Sequence, residues 1–324
     1  MRMTLSEISI ELTQRCPNRC IHCSSMSCPE ARKELDTDVV VEVLDDAKNL
    51  GAKVVCFSGG EPFLHPDFLK IVSYAHDLGL KIYVYSSGIT LQDERPASIS
   101  YETLFSIKEI IEKLIINIEA SIPTLYDRIM GTDFGGFELM HQTISTSVQL
   151  GIKVEAHMVP MNINVGEIQN VITLCKHWGV SRISFLRLVL QGRALDNIHL
   201  THLDTIDHVI TRQEISELRD INKGSIRVGI PFRSCSERVN CWTGTSKLNI
   251  RYDGNVYPCE AFKNDLPFGL TRACPDNVNQ RRLNDIYSHS AYLIEIRQKL
   301  DAFQQVATCE TCMNQYYRKE NEYR

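Results

Sequence analysis

Nowhere in the 324 residues is there a run of about 18 apolar residues, so no membrane-spanning helix is expected. The opening residues, MRMTLSEISIELTQ, lack the apolar stretch of a secretory signal. A basic excess is missing as well. The formal net charge is -5, whereas nucleic-acid binding as a main function normally needs a basic face. No internal repeat or low-complexity stretch is present. With 43% hydrophobic and 23% charged residues, the chain is too apolar to stay disordered. Its length supports one large domain with an appendage, or two domains.

What the chain has in plenty is cysteine, twelve in all. In a small secreted domain these would form disulfides. Here no signal precedes them and they cluster at short spacings, which fits metal ligation in a reducing cytoplasm.

Over the first two thirds, strand-like runs alternate with runs of helical period. Strands are expected at 7–12 (EISIEL), 53–58 (KVVCFS), 81–86 (KIYVYS), 114–120 (LIINIEA), 152–159 (IKVEAHMV) and 181–189 (SRISFLRLV). Helices are expected at 37–51, 66–79, 101–113, 137–151 and 165–179. In the first of them Val39, Val40, Val43, Leu44, Ala47 and Leu50 form one apolar stripe, and Gly51 stops it. Repeated right-handed βαβ units give a parallel sheet with helices outside. Six units make an α/β fold, a partial (β/α)6 barrel of the TIM type, with its chemistry at the C-terminal ends of the strands. A polar helix over roughly 201–223 follows, after which Gly, Pro, Asn and Cys dominate. The expected domains are 1–224, the barrel, and 225–324, a small cysteine-rich α+β unit.

Cys16, Cys20 and Cys23 lie in LTQRCPNRCIHCSS, directly after the first strand. Zinc sites usually close with four ligands, and His22 or Cys28 would supply a fourth. A [4Fe–4S] cluster is normally held by four cysteines, so three thiolates leave one iron open. The second strand ends in FSGGEPFLHPD, where Gly59 and Gly60 permit close backbone approach.

Together, Cys-x3-Cys-x2-Cys and GGEP at adjacent strand ends resemble the radical S-adenosylmethionine (SAM) superfamily, over most of residues 5–200. The resemblance implies a [4Fe–4S] cluster on Cys16, Cys20 and Cys23, with SAM chelating the open iron. Reductive cleavage of SAM then yields a 5′-deoxyadenosyl radical that abstracts a substrate hydrogen. By matching position, His22 would lie near the adenine, and Gly59, Gly60 and Glu61 near the SAM amino group. Ser86 and Ser87 would help hold SAM, and Glu119 and Ser121 match its ribose-contact region. Arg187, with QGRA at 191–194, resembles the sixth-strand end that meets the SAM carboxylate. An ion pair between Glu119 and Arg187 across the barrel mouth is the alternative for those two. PTLYDRIMG (123–131) resembles a segment of peptide-modifying and cofactor-making members, which places Arg128 near SAM or substrate; the alternative is a surface helix with a glycine stop.

The C-terminal third carries a second set. Cys241 and Cys259 flank an expected hairpin turning at Asp253-Gly254, and CETC supplies Cys309 and Cys312. Four thiolates in two pairs suit zinc or a fully ligated [4Fe–4S] cluster. Cys-x12-Gly-x4-Cys resembles the opening of the Twitch/SPASM extensions, and the end of the chain twelve residues after Cys312 looks like the shorter Twitch form, with one auxiliary cluster. Cys235 is either a hydrogen-atom donor of the kind some radical SAM epimerases use, a ligand, or a loop thiol. Cys56 and Cys175 read as core residues; Cys28 and Cys274 are loop cysteines without a readable partner. His65 and His157 are candidates to face the cavity.

These observations point to a cytoplasmic radical SAM oxidoreductase. The favoured substrate is a ribosomally made peptide, to be crosslinked, epimerised or oxidised. A small-molecule dehydrogenase of the aminocyclitol type is the alternative, and an iron–sulfur redox sensor without catalysis a further one. A flavodoxin or ferredoxin is the expected electron donor. Because the cluster loop begins at residue 16, a peptide-modifying version is expected to need either a separate leader-peptide-binding protein or direct binding of the peptide; nucleic acid and membrane are not expected partners.

Overall fold

The structure, a computed structural model, describes residues 4–223, 227–229, 241–263, 273–306 and 313. Strand β1 (Glu7–Thr13) is followed by helix α1 (Thr37–Asn49), β2 (Val54–Gly59), α2 (Phe68–Asp77) and β3 (Lys81–Ser86). A short hairpin, β4 (Ile89–Gln92) and β5 (Arg95–Ser98), precedes α3 (Tyr101–Ile107) and β6 (Lys113–Asn117). Then come α4 (Pro123–Met130), α5 (Gly136–Gln149), β7 (Val154–Met158), α6 (Ile168–His177) and β8 (Arg182–Phe185). After the short α7 (Arg193–Asp196) and α8 (Ile198–Thr201) come α9 (Thr205–Ile221) and β9 (Arg227–Gly229). The C-terminal part holds β10 (Lys247–Ile250), β11 (Val256–Tyr257), α10 (Leu283–His289) and α11 (Ala291–Val306).

One nine-stranded sheet runs in the order β11-β10-β1-β2-β3-β6-β7-β8-β9, and every pair in it is parallel except β10 with β11. The six expected strands are all present, in sequence order, as the expected partial barrel requires. Alternation sorts their side chains. Ile8, Ile10 and Leu12 on β1, Val55 and Phe57 on β2, and Ile183 and Phe185 on β8 are fully buried against the helices. The opposite, interior face is polar. It carries Ser9 and Glu11 on β1, Tyr83 and Tyr85 on β3, Lys113 and Asn117 on β6, Glu155 and His157 on β7, and Arg182 and Ser184 on β8. A sheet with one oily and one polar face is what an enzyme barrel needs to pack outward while holding a polar ligand inside.

Two features were not expected. The hairpin β4–β5 turns at Asp93 and Glu94, both with positive φ (48° and 61°), rather than at an Asn-Gly or Asp-Gly pair. The expected C-terminal hairpin does form, with Gly254 at φ 86°, but its first strand pairs in parallel with β1, matching Ser9 to Asn249. The C-terminal segment therefore extends the barrel sheet. Asp46 of α1, almost fully buried, adds a second tie: it accepts from Arg282 Nε and Nη2 at 3.0 and 2.7 Å and from Asn284 Nδ2 at 2.8 Å. The expected boundary at 224/225 lies outside the described residues.

Candidate active site

The loop after β1 presents Cys16, buried, and Cys20 and Cys23, partly exposed; none of the described cysteines is in a disulfide. The loop is held by its backbone, which leaves the thiols available. From α4, the carbonyls of Met130 and Ile129 accept the N–H groups of Arg19 (3.0 Å) and Ile21 (2.9 Å). From α7, Arg193 donates through Nε to the Cys20 carbonyl and through Nη2 to the Ser27 carbonyl, each at 2.8 Å, and through its own N–H to the Cys23 carbonyl at 3.2 Å. Burial and the neighbouring thiolates push the Cys16 and Cys20 thiols up. Cys28 instead lies beside the Glu30 carboxylate and accepts through its carbonyl from Cys16 N–H at 3.1 Å. Among the described residues no three His, Cys, Asp or Glu side chains converge as ligands of one metal ion would. A cubane cluster asks for something different, one thiolate at each of several irons. Three thiols on one backbone-braced loop fit a [4Fe–4S] cluster with one corner left for another ligand.

The GGE segment is laced to this loop. Gly60 N–H donates to Thr13 O at 2.6 Å, and Glu61 N–H to Arg15 O at 2.8 Å. A Cβ at Gly60 would stand 2.1 Å from the Arg15 carbonyl oxygen. The glycines thus serve first the approach of two backbones. Gly60→Ala is expected to destabilise the protein by more than about 2 kcal/mol and to lower iron loading. Gly166→Ala, where a Cβ meets nothing within 4 Å, is the control; urea unfolding of both checks it.

Glu61 is completely buried and its carboxylate accepts from Ser86 Oγ (2.8 Å), Ser87 N (2.9 Å) and Ser87 Oγ (2.7 Å). Burial raises its pKa to about 7 in spite of those three donors. Glu119, also fully buried, accepts from Val159 N–H at 2.9 Å and Asn117 Nδ2 at 3.2 Å, and faces His22 Nε2 at 3.5 Å. Ser121 donates through its N–H to Glu167 at 3.0 Å and also through its hydroxyl. Cys16, Cys20, Cys23, His22, Gly59 to Glu61, Ser86, Ser87 and Glu119 thus gather at the C-terminal ends of β1, β2, β3 and β6. Arg187 is half-buried just beyond β8, while Arg128 is exposed on α4. Helix α4 serves the site through its last carbonyls, and Gly131 (φ 63°) ends it against the Arg19 carbonyl.

Other expectations resolve as follows. His65 Nε2 binds Leu35 O at 2.8 Å and its Nδ1 accepts from Asp67 N–H, so it ties two loops together. Cys175 is core, but Cys56 is buried on the interior face among Tyr85, Glu7, Lys247 and Glu260. Cys241 and Cys259 flank the C-terminal hairpin, where Gly244 N–H donates to Pro258 O at 2.9 Å. Cys235, Cys309 and Cys312 lie outside the described residues. Not foreseen were Arg193 in its bracing role, Asn164, whose Nδ2 donates to Glu119 O and Val159 O, and Lys263, which pairs with Glu11. Arg193 falls in the QGRA segment, which was one available signal; the other two carry none in isolation.

His157 is held neutral: burial first, then Lys113 and Arg182, lower its pKa to about 3. Unfolding frees the imidazole to bind a proton near its ordinary 6.5, so its share of stability is complete above that pH and is lost as pH falls toward 3. Between pH 7.5 and 5.5 wild type is expected to lose about 1.4 kcal/mol more than His157→Gln, as read from urea midpoints.

A parallel barrel with three thiols on a braced loop over its mouth defines an enzyme whose chemistry is carried by a metal cluster at strand C-terminal ends. The radical SAM superfamily profile matches residues 10–175, more than half of the chain, and an iron–sulfur cluster-binding domain, SPASM, matches residues 241–313. The chain belongs to the radical SAM superfamily. It is 27% identical over 257 residues to the PqqA peptide cyclase of Ruegeria pomeroyi, covering 78% of this chain and 66% of that one. It is 27% identical over 286 residues to the PqqA peptide cyclase of Rhizobium meliloti, covering 86% and 72%. The chain thus spans about two thirds of the curated relatives it matches. Among solved structures, Streptococcus suis SuiB bound to S-adenosylmethionine superposes with a TM-score of 0.73 at 15% identity, covering 92% of this chain and 68% of that one. SuiB bound to its precursor peptide SuiA gives 0.70 at 15%, covering 91% and 67%. These likenesses establish the fold. No helix among the described residues is long and apolar enough to cross a membrane.

Proposed function

We propose that this enzyme modifies a ribosomally made peptide, in the first place by crosslinking two of its residues. The observation that carries the reading is the alignment with relatives named for a peptide cyclase, which covers 86% of this chain in one case. The barrel supports it with a polar interior beneath the cysteine loop.

When bound on Cys16, Cys20 and Cys23, the cluster and SAM supply a 5′-deoxyadenosyl radical that takes a hydrogen atom from the substrate. Arg193 and the α4 carbonyls fix the loop that presents the three thiolates. Glu61 and Ser86/Ser87 hold the ends of β2 and β3 as one rigid rim. His22 and Glu119, Ser121 and Arg187 are assigned to the SAM side of the mouth, and Arg128 to its outer edge. An auxiliary [4Fe–4S] cluster is assigned to Cys241, Cys259, Cys309 and Cys312, a flavodoxin or ferredoxin to the reductant, and a separate protein to leader-peptide recognition.

The test is anaerobic turnover with SAM, a one-electron reductant and each short peptide found to be encoded near this gene. A peptide lighter by two hydrogens, formed together with 5′-deoxyadenosine, is the expected product. Formation of 5′-deoxyadenosine with every such peptide left unchanged, and with oxidation of a small alcohol instead, would sink the reading.

A further inference from the structure

One buried side-chain atom beside the cysteine loop has no hydrogen-bond partner, the hydroxyl oxygen of Tyr126. The residue is 0% exposed and sits on α4, the helix whose last carbonyls brace the loop. Met130 stands four residues further on, hence on the same helix face. Its Sδ lies 3.7 Å from Cys20 Sγ. Tyr126 therefore looks toward the loop one helical turn before that contact, with its ring edge-on to Phe137 at a centroid distance of 5.6 Å.

A buried O–H with nothing to donate to costs desolvation that folding does not recover, so a partner is expected in the working protein. The nearby carboxylates are already taken. Asp127 Oδ1 accepts from Thr132 Oγ1 and from Phe137 N–H, each at 3.0 Å. Glu119 accepts from Val159 N–H and Asn117 Nδ2 and faces His22. The other groups that act on the phenol are the cysteines. Burial first, then Cys20, Glu119, Asp127 and Cys16, raise its pKa well above the ordinary value, so the O–H remains a donor. On binding iron a cysteine thiol is deprotonated and becomes an anionic acceptor.

We propose that the Tyr126 hydroxyl donates a hydrogen bond to the cysteine sulfurs that hold the first cluster, Cys20 in the first place, and thereby raises the reduction potential of that cluster. One-electron reduction adds negative charge to the cluster, and a donor on its sulfurs stabilises the reduced form more than the oxidised one. The inference rests on the assignment of the cluster to Cys16, Cys20 and Cys23 and is independent of the substrate.

The test is a redox titration of the anaerobically reconstituted full chain, followed by electron paramagnetic resonance. It reads the signal that SAM alters, because only a cluster with an open corner binds SAM. Tyr126→Phe keeps the ring and drops one oxygen, and its iron content should match wild type. At a fixed potential its ratio of reduced to oxidised cluster is expected to fall at least about threefold, a shift of about 28 mV to lower potential for one electron. With a reductant that only partly reduces the cluster, 5′-deoxyadenosine formation should fall by the same factor. Excess of a stronger reductant should restore it. Ile129→Val loosens packing on the same helix but keeps the hydroxyl, and should titrate like wild type. An unchanged or raised potential in Tyr126→Phe at full iron, or an equal shift in Ile129→Val, overturns the proposal. Failure of Tyr126→Phe to load iron would make the hydroxyl a structural element and overturn it as well. Persistence of the SAM-sensitive signal in Cys20→Ala would instead overturn the ligand assignment, and the acceptor named here with it.

Discussion

Cys20→Ala is expected to abolish SAM cleavage while leaving the fold in place. The side chain is partly exposed at the edge of the core, with Met130 Sδ at 3.7 Å. The bonds that brace the loop at this residue are backbone bonds: the Cys20 carbonyl accepts from Arg193 Nε and from Cys23 N–H. Alanine keeps both and removes only the thiolate. Iron content after anaerobic reconstitution should fall from about eight to about four per chain, with 5′-deoxyadenosine formation at background and the unfolding midpoint close to wild type. Cys259→Ala is the mirror experiment: iron should again fall to about four, with the loss now at the C-terminal set. Full iron and retained SAM cleavage in Cys20→Ala would remove Cys20 from the ligand set. About four irons already in wild type would mean that the C-terminal cysteines hold zinc or nothing.

The helices and parallel strands were legible because each is specified by its own short stretch. Ile8, Ile10 and Leu12, or Val55 and Phe57, declare a buried face by alternation alone. The cysteine and glycine motifs were legible because metal ligation and close backbone approach permit few residue types. The hairpin β4–β5 was not, since Asp93-Glu94 adopts a turn conformation that its residue types do not advertise. The pairing of β10 with β1 was illegible for a different reason. It joins residues some 240 positions apart, from Glu7↔Lys247 to Ile10↔Ile250, and nothing local selects the partner. Cys56 shows the same limit. Periodicity says that it is buried, but only the closed sheet shows that its burial is on the polar side, beside Tyr85. Arg128 is the converse case: its segment was noticed for a side chain, whereas the fold uses the helix's terminal carbonyls.

That long-range pairing brings the C-terminal segment against the first cysteine loop, and the contact is charged. Glu11, 1% exposed, accepts from Ser25 Oγ at 2.7 Å and is paired with Lys263, itself 7% exposed. Tyr252 and Gln191 extend the contact, the first toward the Ser25 carbonyl at 3.4 Å and the second to the carbonyl of Ala261. Lys263→Met keeps most of the length and the apolar stem of the side chain but strands the Glu11 carboxylate in a buried position. The expected cost is about 3–5 kcal/mol of unfolding free energy near neutral pH. Glu11→Leu with Lys263→Met removes both charges and should recover most of the loss, since well-packed apolar replacements of buried ion pairs are often neutral. Urea unfolding of the two single variants and the double variant gives the coupling directly. A single-variant loss within about 0.5 kcal/mol, or a double variant no better than Lys263→Met, would show that solvent reaches this pair and that the contact adds little to holding the cysteine loop. A large coupling would make the Glu11–Lys263 pair a strut between the C-terminal segment and the first cysteine loop. Amide hydrogen exchange over residues 16–28 should then rise in Lys263→Met, because Ser25 lies within the loop that Glu11 anchors.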